Sequence, residues 1–285
     1  MNTAAGWLCG DRVLDLAQPA VMGVLNVTPD SFSDGGRYAQ RDAALAQAQR
    51  MIDEGASIID VGGESTRPGA APATLDTELS RVIPVIEALR ATSPVFISID
   101  TSKPEVMRAA ALAGANIIND VRALAEPGAL EAAAETRAGI CLMHMQGEPR
   151  TMQAAPHYED VLEEVAAFLA ARTRACRDAG IDSARLAIDP GFGFGKTVAH
   201  NLALLKHLGR FEVLGAVLAV GLSRKSMLAK LTGRTVDERI AGSVALAAIA
   251  VLNGARIVRA HDVAATLDAV RVAAATLKGE HFDGT

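Results

Sequence analysis

Eight short apolar runs recur along the chain, at 21–25, 57–61, 95–99, 116–118, 139–143, 185–188, 217–220 and 256–258, with helical spacing between them. A strand with one wet face alternates apolar and polar residues, whereas a near-continuous apolar run is buried on both faces, as in a parallel sheet covered by helices. In the intervening segments Ala44, Leu45, Ala48, Met51 and Ile52 fill one helix face, as do Val161, Leu162, Val165, Phe168 and Leu169. Gly55, Gly114, Gly180 and Gly254 follow helical segments and precede apolar runs, where a left-handed residue ends a helix at little cost.

Parallel strands need crossover connections, so this alternation reads as repeated βαβ units. A doubly wound open sheet alternates in the same way. Eight successive units, with polar residues gathered where the runs end, favour closure into a (β/α)8 barrel, an α/β fold. The spacing is too irregular for a solenoid. No linker divides the chain, so one domain is expected over 1–285, with 1–19 as an N-terminal extension that carries no informative pattern.

Half of the residues are hydrophobic and only 4% are aromatic, so Ala, Val, Leu and Ile should build the core. A net charge of −5 gives no general attraction to nucleic acid or to anionic membranes, and any anion must be held locally. Cys9, Cys141 and Cys176 are odd in number and lack CxxC spacing. That argues against a disulfide framework and a structural zinc site, and it suits a reducing, cytoplasmic location. The longest apolar stretches, 213–222 and 240–252, are shorter than a bilayer span, and the N-terminus lacks an export signal, so neither insertion nor secretion is expected.

Asn26, Glu64, Asp100, Asn119, His144, Asp189, Ser223 with Lys225, and Arg259 with His261 stand where the apolar runs end. In a closed barrel these ends share one rim, and catalytic residues come from several of them. Each has an ordinary structural reading too: Asn119 suits a helix cap, and Asp189 before Pro190 and Gly191 suits a turn. A turn does not account for Lys225. Arg259 and His261, two residues apart at an extended strand end, fall on one side and could grip an anion. Residues 191–197 superficially suggest a phosphate loop, but Pro190 stands where GxxxxGK[ST] needs glycine and Lys196 where GxGxxG does. His144, His157 and His261 are too dispersed for a zinc triad, and Cys141 reads as core.

Several of these positions lie inside longer motifs. Residues 22–36 (MGVLNVTPDSFSDGG) and 60–69 (DVGGESTRPG) resemble the first and second signatures of the dihydropteroate synthases. The resemblance continues through SIDT at 98–101, IND at 118–120, MHMQG at 143–147, IDPGFGF at 188–194, SRKS at 223–226 and RAH at 259–261. It runs in order through nearly the whole chain.

The resemblance implies condensation of a dihydropterin pyrophosphate with p-aminobenzoate, releasing pyrophosphate. Asp189 would accept the two donors of the pterin's aminopyrimidine edge, and Lys225 would serve its carbonyl. Asn119 and Asp100 would complete the pterin contacts, while Arg259 and His261 would hold the pyrophosphate. Asn26 would ligate Mg²⁺, and Asp34 would join the reacting residues. Phe32, Pro68, Phe194 and Ser223 would form the p-aminobenzoate pocket, with Thr66 and Arg67 in the same loop. The implied chemistry is dissociative, with C–O cleavage first and Asp100 stabilising the cation. Loops 28–36 and 65–71, rich in Gly, Pro, Ser and Asp, are expected to close over the site. A homodimer is expected from the family alone. A methyltetrahydrofolate-dependent methyltransferase and a non-catalytic pterin-binding paralogue are the alternatives; the Arg259–His261 pair and the Asn26-to-Gly36 loop argue against the first, and the intact matched positions argue against the second.

Overall fold

A computed structural model describes residues 6–28, 37–65, 72–148 and 151–279. Its first elements form a feature to which the sequence reading gave no role. Strands β1 (Gly6–Cys9) and β2 (Arg12–Asp15) pair antiparallel as a hairpin. The barrel begins with β3 (Ala20–Asn26), α1 (Arg37–Asp53), β4 (Ile58–Gly62), α2 (Leu75–Thr92), β5 (Phe96–Asp100), α3 (Pro104–Ala113) and β6 (Ile117–Asp120). It continues through α4 (Ala129–Glu135), β7 (Gly139–Met143), α5 (Val161–Asp178), β8 (Leu186–Asp189), α6 (Val198–Lys206) and β9 (Val217–Gly221). The short α7 (Ser226–Thr232), then α8 (Ile240–Leu252), β10 (Ile257–Ala260) and α9 (Val263–Lys278) complete it.

Strands β3 to β10 pair in parallel in the order β10-β3-β4-β5-β6-β7-β8-β9 and close on themselves, a (β/α)8 barrel. All eight apolar runs became its strands. The glycines expected to end helices, Gly55, Gly114, Gly180 and Gly254, all have positive φ. Among the described residues no helix is long and apolar enough to cross a membrane.

Alternation along each strand divides the core into two layers. Outward positions such as Val61, Ile97, Ile99, Leu142, Ile188 and Val220 pack beneath the helices with Val82, Met107, Val165 and Leu204. Inward positions near the strand starts, Met22, Ile58, Phe96, Ile117, Ala187, Val217 and Ile257, meet Trp7, Cys9, Leu14 and Leu16 from the hairpin region. The hairpin therefore plugs the N-terminal end of the barrel. Trp7 is fully buried, and its Nε1 donates to the carbonyl of Arg185 at 2.8 Å.

Candidate active site

Two residues further along the same inward rows, the side chains turn polar. Ile58 gives way to Asp60 and then Gly62, Phe96 to Ser98 and Asp100, and Ile117 to Asn119. On the other strands Ala187 gives way to Asp189, Ala219 to Gly221 and Ile257 to Arg259. A side chain at Gly62 would project between Asn26 and Asp100, with its Cβ 3.5 Å from Asn26 Oδ1 and 3.7 Å from Asp100 Cβ. One at Gly221 would meet Asp189 Oδ2 at 3.9 Å and Arg259 Cβ at 4.0 Å. Glycine on both strands thus keeps the mouth open, with Asn26, Asp100, Asp189 and Arg259 around the opening.

Arg259 is the electrostatic centre of this mouth. Its Nε donates to Asp60 Oδ2 at 2.5 Å and a terminal N–H donates to Asp100 Oδ2 at 2.6 Å. Burial works against its charge, but Asp60 and Asp100 more than compensate and hold its pKa above the ordinary value. Removing one partner of such a buried pair typically costs about 3–5 kcal/mol, because the other charge is left uncompensated. Burial lifts Asp100 to about 7, with Arg259 pulling it down and Asp60 pushing it up. His261, expected beside Arg259 as an anion grip, instead has Nδ1 3.2 Å from Ser223 Oγ. Burial and the neighbouring Arg259 charge lower it to about 4, so it is neutral at pH 7.

Asp189 accepts the Gly191 N–H on Oδ1 at 2.7 Å, which leaves Oδ2 beside the space that Gly221 keeps open. Burial raises its pKa against the pull of that N–H and of Lys225. Lys225 lies opposite in charge, lowered to about 8 by burial and by Arg259, while Asp189 and Asp100 oppose the shift. Its Nζ sits 4.1 Å above the Phe194 ring, a cation–π contact. Phe194 packs with Val121, Met143 and Met152 at the rim. Asn119, 6% exposed, has no side-chain hydrogen bond among the described residues, so its amide is available to a ligand.

The segment that carries Asp189 and Phe194 wraps tightly around the end of β7. A Cβ on Gly191, whose φ is +72°, would lie 1.8 Å from the His144 carbonyl oxygen, so only glycine fits there. Beneath the segment lies Lys196, 3% exposed, its Nζ 2.9 Å from His144 Nδ1 and 3.0 Å from the Phe194 carbonyl oxygen. Burial lowers Lys196 to about 7, and burial with the Lys196 charge lowers His144 to about 3. The imidazole is therefore neutral, and Nδ1 is the acceptor whenever the lysine carries its charge, since an ammonium only donates.

A second network braces the opposite side. Lys103 bridges Glu64, at the base of the second signature, to the fully buried Glu78, and Glu78 accepts from Thr101 Oγ1 at 2.6 Å. Thr101 follows Asp100 directly, so this side of the mouth is tied to α2. Asp120 accepts from Ser102 Oγ and from the N–H groups of Arg122 and Leu124, and Arg224 forms a two-pronged pair with Asp262.

Among the expected site residues, Asn26, Asp100, Asn119, Asp189, Phe194, Ser223, Lys225, Arg259 and His261 thus stand at or beside the C-terminal ends of the strands. Phe32, Asp34, Thr66, Arg67 and Pro68 lie outside the described residues. Asp60 and Lys196 were not singled out as site residues. The signal for Lys196 was present as the one cation in the otherwise uncharged loop 190–197, and Asp60 as a lone carboxylate in an apolar run.

A closed barrel with an acid-and-base-lined mouth at the C-terminal ends of its strands is the architecture of barrel enzymes that build one site from many strands. Residues 22–261 match the family model described as pterin binding enzyme. The chain is 55% identical to the dihydropteroate synthase of Escherichia coli (strain K12), covering 94% of this chain and 95% of that protein. It is 53% identical to that of Haemophilus influenzae, covering 93% and 97%. The fold superposes on the Yersinia pestis dihydropteroate synthase solved as a sulfonamide drug complex, with TM-score 0.90, 51% identity, and 95% and 98% of the two chains covered. The Xanthomonas albilineans dihydropteroate synthase solved with 7,8-dihydropteroate gives TM-score 0.86 and 51% identity, covering 94% and 97%. The chain belongs to the dihydropteroate synthases, transferases of the pterin-binding family.

Proposed function

We propose that the mouth joins 6-hydroxymethyl-7,8-dihydropterin pyrophosphate to p-aminobenzoate, giving 7,8-dihydropteroate and pyrophosphate, by a dissociative substitution. The observation that carries this reading is the gathering of Asp100, Asp189 and Arg259 around one opening kept by Gly62 and Gly221, with Lys225 in electrostatic reach of all three. Asp189 Oδ2, left open beside Gly221, accepts from the donor edge of the pterin, Lys225 donates to its carbonyl, and Asn119 supplies mixed donors and acceptors. A flat ring so held points its methylene toward Asp100 and Arg259. Arg259 and His261 receive the pyrophosphate as the C–O bond breaks. Asp100 stabilises the cation left on the ring system, and the arylamine attacks it. The amine then loses its extra proton. The arylamine needs orientation more than deprotonation, so no nucleophile–base pair is required.

Phe194 offers an apolar face to p-aminobenzoate and Ser223 lies near its carboxylate, with Phe32 and Pro68 completing the pocket in this reading, and Thr66 and Arg67 beside them. Asp34 belongs to the same set. Mg²⁺ suits the oxygen chemistry here: Asn26 Oδ1 faces the space left by Gly62, and this ion commonly takes few protein oxygens and fills its sphere with water and phosphate. When bound, Mg²⁺ draws negative charge onto the pyrophosphate oxygens. Three buried free cysteines suit a reducing, cytoplasmic compartment, and the active unit is a homodimer. A titration by analytical ultracentrifugation checks the last point, with a monomer at assay concentration contradicting it.

The Xanthomonas albilineans protein has also been solved with 4-aminobenzoic acid, which supports the same second substrate here. Turnover is tested with pterin pyrophosphate, p-aminobenzoate and Mg²⁺, with and without a sulfonamide. The expected result is dihydropteroate formation that the sulfonamide blocks and extra p-aminobenzoate restores. Absence of turnover with tight pterin binding would favour a binding-only paralogue, and methyl transfer from methyltetrahydrofolate would favour the methyltransferase.

A further inference from the structure

Asp60 is given no role in the proposed function, yet it is a fully buried carboxylate in the middle of an apolar strand. Such a charge is retained only with a partner. Its partner is Arg259 Nε, while Asp60 Oδ1 has no hydrogen bond among the described residues. The two carboxylates on Arg259 sit at different depths. Asp60 pairs across the sheet with Ser98, which is two residues below Asp100, and Asp60 itself is two residues below the open position at Gly62. The Asp60 side chain is 0% exposed and that of Asp100 is 9% exposed. Asp100 therefore lies at the open mouth, and Asp60 is sealed beneath it.

From this difference in depth we propose that Asp60 is a positioning residue that anchors Arg259 through Nε, so that its terminal N–H groups can move from Asp100 to the pyrophosphate without the side chain leaving the mouth. The inference rests on the reading of Arg259 as a pyrophosphate ligand. Before substrate binds, Arg259 is shared between Asp60 and Asp100. An arriving pyrophosphate competes for the outer N–H groups alone, since the inner contact is out of its reach. The exchange leaves the Asp100 carboxylate unpaired beside the pterin methylene, where positive charge develops. Pyrophosphate binding and release of Asp100 become one event. Without the inner anchor, a guanidinium beside a single carboxylate closes on it as a two-pronged fork, the preferred geometry of such pairs. Asp100 would then stay paired when it is needed.

Asp60→Asn tests this, because it keeps the volume and removes the charge. The expected result is a fall in kcat of about tenfold or more with KM for pterin pyrophosphate changed less than about threefold. The Asp60→Asn/Arg259→Ala double variant should be no slower than Arg259→Ala alone, because Asp60 acts through Arg259. A kcat within about twofold of wild type, or additive losses in the double variant, would overturn the proposal. Arg259→Ala by itself separates the two readings: unchanged pyrophosphate affinity there removes the underlying ligand assignment, whatever Asp60 does. Should Asp60→Asn fail to fold, ¹⁵N-arginine NMR on the wild-type protein decides. Titration with Mg²⁺ and inorganic pyrophosphate should shift the terminal N–H signals of Arg259, assigned with Arg259→Lys, and leave Nε–H protected from exchange. Loss of Nε–H protection would contradict the anchor.

Discussion

The two ends of the barrel are built on the same inward rows and differ in chemistry. At the N-terminal end Ile58, Phe96, Ile117, Val217 and Ile257 close around Trp7 and Leu16, and the interior is apolar. A few residues further along, Asp60, Asp100, Asn119, Asp189 and Arg259 face one another around positions kept open by glycine. The first end gains stability by burying area, the second holds charges that burial penalises. The parallel strands thus divide the work along their length. Substitutions at the plug should therefore change stability without touching chemistry, whereas those at the mouth should change chemistry, with stability lost only where a buried ion pair such as Arg259–Asp60 is broken.

The largest effect is expected at the plug. Trp7→Ala should lower stability by about 3–5 kcal/mol, the usual cost of emptying a buried aromatic site, measured by urea unfolding. The kcat/KM of the folded fraction should stay near wild type. A large loss of activity with intact stability would show that the plug shapes the mouth.

At the mouth, Asp189→Asn should weaken pterin binding about 100-fold by calorimetry, since an amide cannot accept both charge-assisted hydrogen bonds. Stability should not fall, because burial raises the Asp189 pKa and so disfavours its ionised form in the folded state. Unchanged affinity would remove Asp189 from the site.

A smaller effect separates the support of the mouth from the mouth itself. Lys196 is lowered to about 7 from 10.5, so between those values the unfolded chain binds a proton that the folded chain does not. Stability contributed by this group therefore rises as pH increases through that window. Lys196→Met should flatten the rise, seen as a smaller change in unfolding midpoint between pH 7 and 10. An identical slope in both proteins would mean that Lys196 does not carry the shift. The smallest effect belongs to neither end: Arg137 and Asp11 pair at 2.9 Å with side chains 82% and 81% exposed, and Arg137→Ala should leave the unfolding midpoint within measurement error.

The eight barrel strands were legible because burial on both faces writes a continuous apolar run, and the rim residues because they interrupt those runs at their ends. The hairpin was not, since its strands are four residues each and half of them face solvent. Its signal was Gly10-Asp11 between two short segments, a pairing that suits a two-residue hairpin turn, and Gly10 has φ +70°. Asp60 hid inside an apolar run, where one carboxylate among Ile58, Ile59 and Val61 reads as strand interior. Only the folded barrel brings Arg259, 199 residues away in sequence, against it. Arg259 and His261 lie within and just past the end of β10, but their spacing carries no information on the competing partners, Asp60 and Ser223, that hold them in this state.

The most direct test of the central claim is a crystal structure of the protein soaked with a non-hydrolysable pterin pyrophosphate analogue and Mg²⁺. The expected result is the aminopyrimidine edge on Asp189 and the pyrophosphate on Arg259, with Asp100 released and Asp60 still holding Nε. A pterin seated away from Asp189, or a pyrophosphate that leaves the Arg259–Asp100 pair intact, would contradict it.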